Sequence, residues 1–268
     1  MNPLLIFTHI PKTAGSTITT LIDTLYRKEE IHRESLDPAA GGPALDPRAR
    51  ILVGHHIYGQ HRFTERPCRY FTILRDPVER VISVYFFILR KPDHFLYRQL
   101  ASGEMSMLQL AQRERNVQTH YISGIPRTQE ATEETLALAK KHLEERFVCG
   151  LMERFDESLL LLQNAYGWNF QSYRTINVTK NRPARDNVPA EVRAAAVEST
   201  RLDQQLYDWA RERFEREIAA QPADFPQRLE RLRARTARMA KYYTMKEQAW
   251  SWLRRHSGAK SPSAKNQS

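Results

Sequence analysis

Short, continuous apolar runs alternate with longer stretches of helical periodicity along this chain. Leu4–His9 opens with Leu-Leu-Ile-Phe, Ile51–Gly54 reads Ile-Leu-Val-Gly, and Tyr70–Leu74, Phe147–Met152 and Arg174–Val178 follow as further strand candidates. Unbroken apolar runs, rather than alternating ones, fit strands covered on both faces. Between them, spacing near 3.6 residues predicts helices over about Ser16–Arg27, Val78–Leu89, 104–113, 130–145, 155–166 and 189–219, with Pro77 at the favoured first position of the second. Strand and helix in alternation predict an α/β domain with a largely parallel sheet and helices on both faces. Ligands bind such sheets at the carboxyl ends of the strands, so the segments just after each strand are where chemistry is expected.

The boundaries expected are a main domain over 1–220, a basic amphipathic helix over 221–256 and a disordered Ser/Lys-rich tail over 257–268. In the terminal helix Leu229, Leu232, Thr236, Met239, Tyr243, Trp250 and Leu253 fall on a 3-4 spacing broken by Lys246. A stripe of this kind packs on the domain, pairs with a second copy, or lies on an anionic membrane surface.

Charge sharpens the division. The 268 residues carry a net charge of +10 and a pI of about 9.7, but 201–268 hold 15 Lys/Arg against 8 Asp/Glu and so contribute +7 of it. The balanced body weakens a nucleic-acid reading based on pI, and no nucleic-acid partner is expected. Cys68 and Cys149, with no CxxC pair, exclude a disulfide framework or a cysteine-rich zinc site. No run of about 18 apolar residues occurs, and the N-terminal apolar run is too short for a secretory signal, so a cytoplasmic protein, at most peripheral to a membrane, is expected.

Two motifs carry candidate chemistry. In Thr8–Thr17 (THIPKTAGST) a strand turns into a helix through Lys12, Thr13, Ala14 and Gly15, with Ser16 and Thr17 at the helix start. Backbone N–H groups and the positive end of a helix dipole suit an anion, and Lys12 and the hydroxyls add to them. GxxxxGK[ST] is absent, which disfavours a magnesium-dependent kinase or ATPase. The second, Leu74–Tyr85 (LRDPVERVISVY), sets Arg75 at a strand end and Ser83 two turns into the next helix, where a guanidinium fork and a hydroxyl can converge on a second phosphate. Asp76 can cap that helix, orient an arginine, or pair with Arg80 at a solvated helix start.

Together these motifs resemble the P-loop sulfotransferase superfamily. Along with GLMERFDESLLLL and NVTK, they are similar to its carbohydrate branch, which includes heparan sulfate 2-O- and uronyl sulfotransferases. The resemblance implies a P-loop NTPase-like three-layer αβα fold. It implies 3′-phosphoadenosine 5′-phosphosulfate as sulfo donor, adenosine 3′,5′-bisphosphate as product, a glycan or other hydroxyl-bearing acceptor, and no metal. The first motif then matches the 5′-phosphosulfate loop, and Arg75 and Ser83 the 3′-phosphate site. Thr179, Lys180 and Arg182 close over the cofactor's 3′ side.

Sulfo transfer needs a base for the acceptor hydroxyl, and histidine suits that work near neutral pH. Gly54-His55-His56 follows the second strand, and in the resembling enzymes a histidine follows a glycine at this place, which His55 matches. A further histidine of the heparan 2-O enzymes falls at Val53 here, a departure. His56 is the second candidate, with His9 and His61 outside ones. Asn116 and Gln118, in a segment read as ending a helix, are expected to line the acceptor cleft, whereas Trp168 and Phe170 belong to the core. The alternatives are a phosphoryl transferase with an unorthodox loop, or a degenerate fold kept as a binding module.

Overall fold

A computed structural model describes residues 3–175 and 188–257. Five strands form one sheet in the order β2-β3-β1-β4-β5, with every neighbouring pair parallel: β1 Leu4–Thr8, β2 Ile31–His32, β3 Ile51–Gly54, β4 Cys68–Leu74 and β5 Phe147–Leu151. The continuous apolar runs have the expected consequence. In β1, Leu4 and Ile6 face one helical layer while Leu5 and Phe7 face the other, and all four are buried. The first layer is built from α5 (Val117–Ser123), α6 (Glu133–Arg146) and α9 (Arg201–Ala219). The second is built from α1 (Gly15–Leu25), α7 (Phe155–Tyr166) and the start of α10 (Phe225–Ser257), where Phe225 and Leu232 join the core. The result is an α/β fold of the P-loop type, three layers deep.

On the rim of the sheet, α2 (Pro77–Ile88), α3 (Tyr97–Ser102), α4 (Met107–Arg113) and α8 (Ala190–Ser199) make two smaller apolar clusters. Several elements differ from the sequence expectation, among them α3, which was not expected. The pattern over 189–219 breaks at Thr200 into α8 and α9. The two-residue β2 carries too short a pattern to be read. Asn116–Tyr121 does not end a helix but starts α5, with Asn116 in a left-handed conformation at φ 40°. The Asn116 Oδ1 accepts the amides of Leu202 and Asp203 at the start of α9, while the Asp203 carboxylate accepts those of Gln118 and Thr119 at the start of α5. Each helix start is thereby closed by a side chain from the other, a local-rule effect delivered across a gap of more than eighty residues. Part of the Arg174–Val178 strand candidate and all of the tail from 258 lie outside the described residues.

Candidate active site

The sheet order places β1 at the centre, between β3 and β4, where the chain direction of the crossovers reverses. Register does the rest. Thr8 pairs with Gly54, so the next residues, His9 and His55, leave the sheet side by side. Leu74 pairs with Leu151, so Arg75 and Met152 leave together on the other side. A cavity of about 520 Å³ opens over these strand ends, within the range of about 300–1,000 Å³ usual for small-molecule sites. Its wall includes Lys12, Ala14, Gly15, Ser16, Thr17, His55, Arg75 and Ser83, together with His9, Phe86, Phe87, Met152, Phe155 and Tyr173, and among the described residues no carboxylate.

The turn after β1 is strained where it meets this cavity. Lys12 and Ala14 both hold left-handed backbones, at φ 72° and 67°, a conformation that costs non-glycine residues of order 1–3 kcal/mol and collects at functional sites. Ala14 is the residue that starts α1, and it has no side chain with which to close the helix end. The Thr17 N–H donates to the Ala14 carbonyl at 3.0 Å, and the positive end of the α1 dipole lies at the cavity, which Gly15, Ser16 and Thr17 line. Ser16 lies inside the helix and does not cap it. Gly15 is required by a close approach rather than by the turn: a Cβ there would stand 1.7 Å from the His9 Nε2. Thr13, expected among the anion donors, is fully buried, and its hydroxyl donates to the Ile10 carbonyl at 2.9 Å. It braces the turn from behind.

The two motifs meet directly. The buried Arg75 donates from Nη1 to the Lys12 carbonyl at 3.0 Å. Its own backbone is gripped by Gln118, whose Oε1 accepts the Arg75 N–H at 2.9 Å and whose Nε2 donates to the Arg75 carbonyl at 2.8 Å. Gln118 is 0% exposed, so the expectation that it lines the acceptor cleft is corrected: it acts on Arg75 from within the fold. Asn116 likewise caps α9 and lies outside this cavity. Next along the chain, Asp76 caps α2, its Oδ1 accepting the Glu79 amide at 2.9 Å. Arg80 does not pair with Asp76 at a solvated helix start. It is fully buried and donates to Glu114 at 3.0 Å. Burial alone would raise the Glu114 carboxyl, but the Arg80 and Arg127 guanidiniums outweigh it and hold it below the usual carboxylate range.

Electrostatics make the cavity a site for anions. Burial, reinforced by the charges of Arg90 and Arg75, pulls the Lys12 ammonium down to about 8. Its Nζ sits 4.0 Å above the centre of the Phe87 ring. A negatively charged ligand would relieve this crowding of positive charge.

The histidines separate by environment. His55 is exposed, and its Nδ1 lies 2.7 Å from the His9 carbonyl. A carbonyl only accepts, so Nδ1 carries the hydrogen, and in the neutral ring Nε2 holds the lone pair. His9 stacks on His55 with centroids 4.1 Å apart, and burial, then His55 and Lys12, pull it down to about 3. His56 turns away, with its Nε2 donating to the Arg33 carbonyl at 3.2 Å, and burial lowers it. His61 contacts the Tyr70 hydroxyl at 2.9 Å, also away from this cavity. Trp168 is in the core, donating to the Tyr26 hydroxyl. Thr179, Lys180 and Arg182 lie outside the described residues.

Sequence reading left out the aromatic wall and gave His9 little weight. Phe86 and Phe87 stand three and four residues after Ser83, so helical spacing alone puts all three on one face of α2. Met152, Phe155 and Tyr173 had no comparable signal. Among the described residues, no group of three or more His, Cys, Asp and Glu side chains could hold a metal ion, and no helix is long and apolar enough to cross a membrane.

Comparison with known proteins agrees with this geometry. No curated protein matches the chain. The sulfotransferase family does match, over residues 2–210, from the first strand into α9, and so takes in every wall of the cavity. The chain belongs to the sulfotransferase family and is a transferase of sulfo groups.

Proposed function

We propose that this enzyme moves the sulfo group of 3′-phosphoadenosine 5′-phosphosulfate to a hydroxyl of a carbohydrate acceptor, with His55 as the base. The observation that carries the donor assignment is the joining of Lys12 and Arg75 in one cavity, through a hydrogen bond of 3.0 Å, with no carboxylate among the described residues that line it. Two cations lining one space suit a ligand with more than one anionic group. The carbohydrate acceptor rests on the resemblance of the motifs, and the base on the tautomer of His55.

In this reading the turn amides, Ser16, Thr17 and Lys12 hold the 5′-phosphosulfate. Arg75 and Ser83 hold the 3′-phosphate. The acceptor oxygen forms a bond to sulfur as the bond from sulfur to the phosphate oxygen breaks. His55 Nε2 takes the hydroxyl proton, and Lys12 stabilises the negative charge that grows on the leaving phosphate. The products are a sulfate ester and adenosine 3′,5′-bisphosphate. Phe86, Phe87 and Phe155 keep water from the reacting groups, which strengthens each of these interactions.

Calorimetry with adenosine 3′,5′-bisphosphate and with AMP tests the donor. Binding of the bisphosphate at least about a hundredfold tighter is expected from a charge-assisted second phosphate site, and equal binding would remove the assignment. Incubation with labelled donor and a panel of glycans then tests the acceptor class.

A further inference from the structure

The α10 helix uses only part of its surface on the domain. Phe225, Leu229 and Leu232 pack on the second core, Arg233 pairs with Asp156 at 3.1 Å, and the Thr236 hydroxyl accepts the Tyr173 amide. On the outward side, Tyr242, Met245 and Trp252 are 58%, 68% and 56% exposed. Spacings of three and seven residues set them on one face of the helix. Arg238 and Lys241, both exposed, stand one turn before Tyr242 and Met245 on that face.

Three large apolar side chains are thus more than half exposed on one helix face. Charge decides what covers them. The 33 residues of α10 hold nine Lys/Arg against two Glu, a net of +7. A second copy of the helix would bring the same charge and be repelled. An anionic bilayer surface attracts the basic side chains, each contributing about 1 kcal/mol near the surface, and its headgroup region accepts Trp, Tyr and Met.

We infer that the outward face of α10 docks this enzyme on an anionic lipid surface, through Tyr242, Met245 and Trp252 with Arg238 and Lys241 beside them. The inner face of the same helix holds Tyr173, which lines the cavity, so docking would set the orientation of the active site to the bilayer. The inference does not depend on which donor or acceptor the enzyme uses.

Co-sedimentation of the full chain with phosphatidylcholine vesicles, with and without phosphatidylglycerol, tests it. Pelleting with the anionic vesicles alone is expected, reversed by high salt. The double substitution Met245→Ser, Trp252→Ser should lower partitioning at least about tenfold, because each removes buried apolar area, with the far-ultraviolet circular dichroism unchanged. A chain that stays in the supernatant overturns the inference. So does a double variant that pellets like the parent, since charge alone would then account for binding. Concentration-dependent dimerisation lost in the same variant would assign the face to a second copy and also overturn it.

Discussion

His55 Nδ1 and the His9 carbonyl oxygen are 2.7 Å apart, joining the ends of two adjacent strands through one hydrogen bond. That bond sets the tautomer that leaves Nε2 as a proton acceptor, and the stacked His9 ring holds the imidazole in place. Backbone register alone brings the two residues together, so the proposed base is held by the sheet.

Replacing His55 by Ala should lower kcat by about 10²–10⁴, the usual worth of a general base, and leave the dissociation constant of adenosine 3′,5′-bisphosphate unchanged. Steady-state kinetics beside calorimetry would check both halves. Unchanged turnover would move the role to another group.

Gly15→Ala places a methyl where the His9 ring lies, 1.7 Å from Nε2. The ring must swing out, and the stack on His55 is lost with it. Overpacking of this kind costs about 1–3 kcal/mol. A lower urea midpoint together with a larger loss of kcat is expected, and a variant with parental activity would show that His9 does not hold His55.

Gln118→Leu strips both partners from the buried Arg75 backbone. Each buried polar group left unpaired costs about 1–3 kcal/mol. The melting temperature should fall by several degrees, and affinity for adenosine 3′,5′-bisphosphate should fall more than affinity for AMP. Gln118→Glu, which can still accept the Arg75 N–H, should lie between. Equal losses for the two nucleotides would mean Gln118 supports the fold and not the 3′-phosphate site.

Lys12 makes donor binding depend on pH in a defined direction. Its ammonium is lowered from 10.5 to about 8, so the empty folded site holds less of that proton than the unfolded chain between those values. Through this group, then, stability rises with pH across the window, and the burial cost is fully present below about 8. A bound anion restores the charge, so binding near about pH 9 should take up a proton. Calorimetry in two buffers of different ionisation enthalpy measures the uptake. Lys12→Met should abolish it, and proton-neutral binding to the parent chain would contradict the role of Lys12.

Local pattern carried much of this protein's architecture into view. Leu4–Phe7 and Ile51–Val53 are apolar without alternation because helices cover both faces of their strands, as is usual in a parallel sheet. The strand, the turn around Gly15 and the helix after it are contiguous, so ten residues suffice to mark this turn as a candidate anion site. Arg75 precedes α2 and Ser83 lies inside it, and both line the cavity. Some expectations failed because a residue type does not say which way its side chain goes. Thr13 and Gln118 have the right chemistry for ligands, yet both spend it on backbone within the fold.

The chain by itself determined the sheet class, the two anion motifs and the histidine pair after β3, since each depends on neighbours within about two helical turns. Only the tertiary structure decided that Arg75 reaches the Lys12 carbonyl and that Gln118 holds Arg75 from α5. It alone set His55 against His9 and turned His56 toward Arg33. These are contacts between segments 23 to 63 residues apart, and strand register and helix packing, which no local spacing encodes, bring them about.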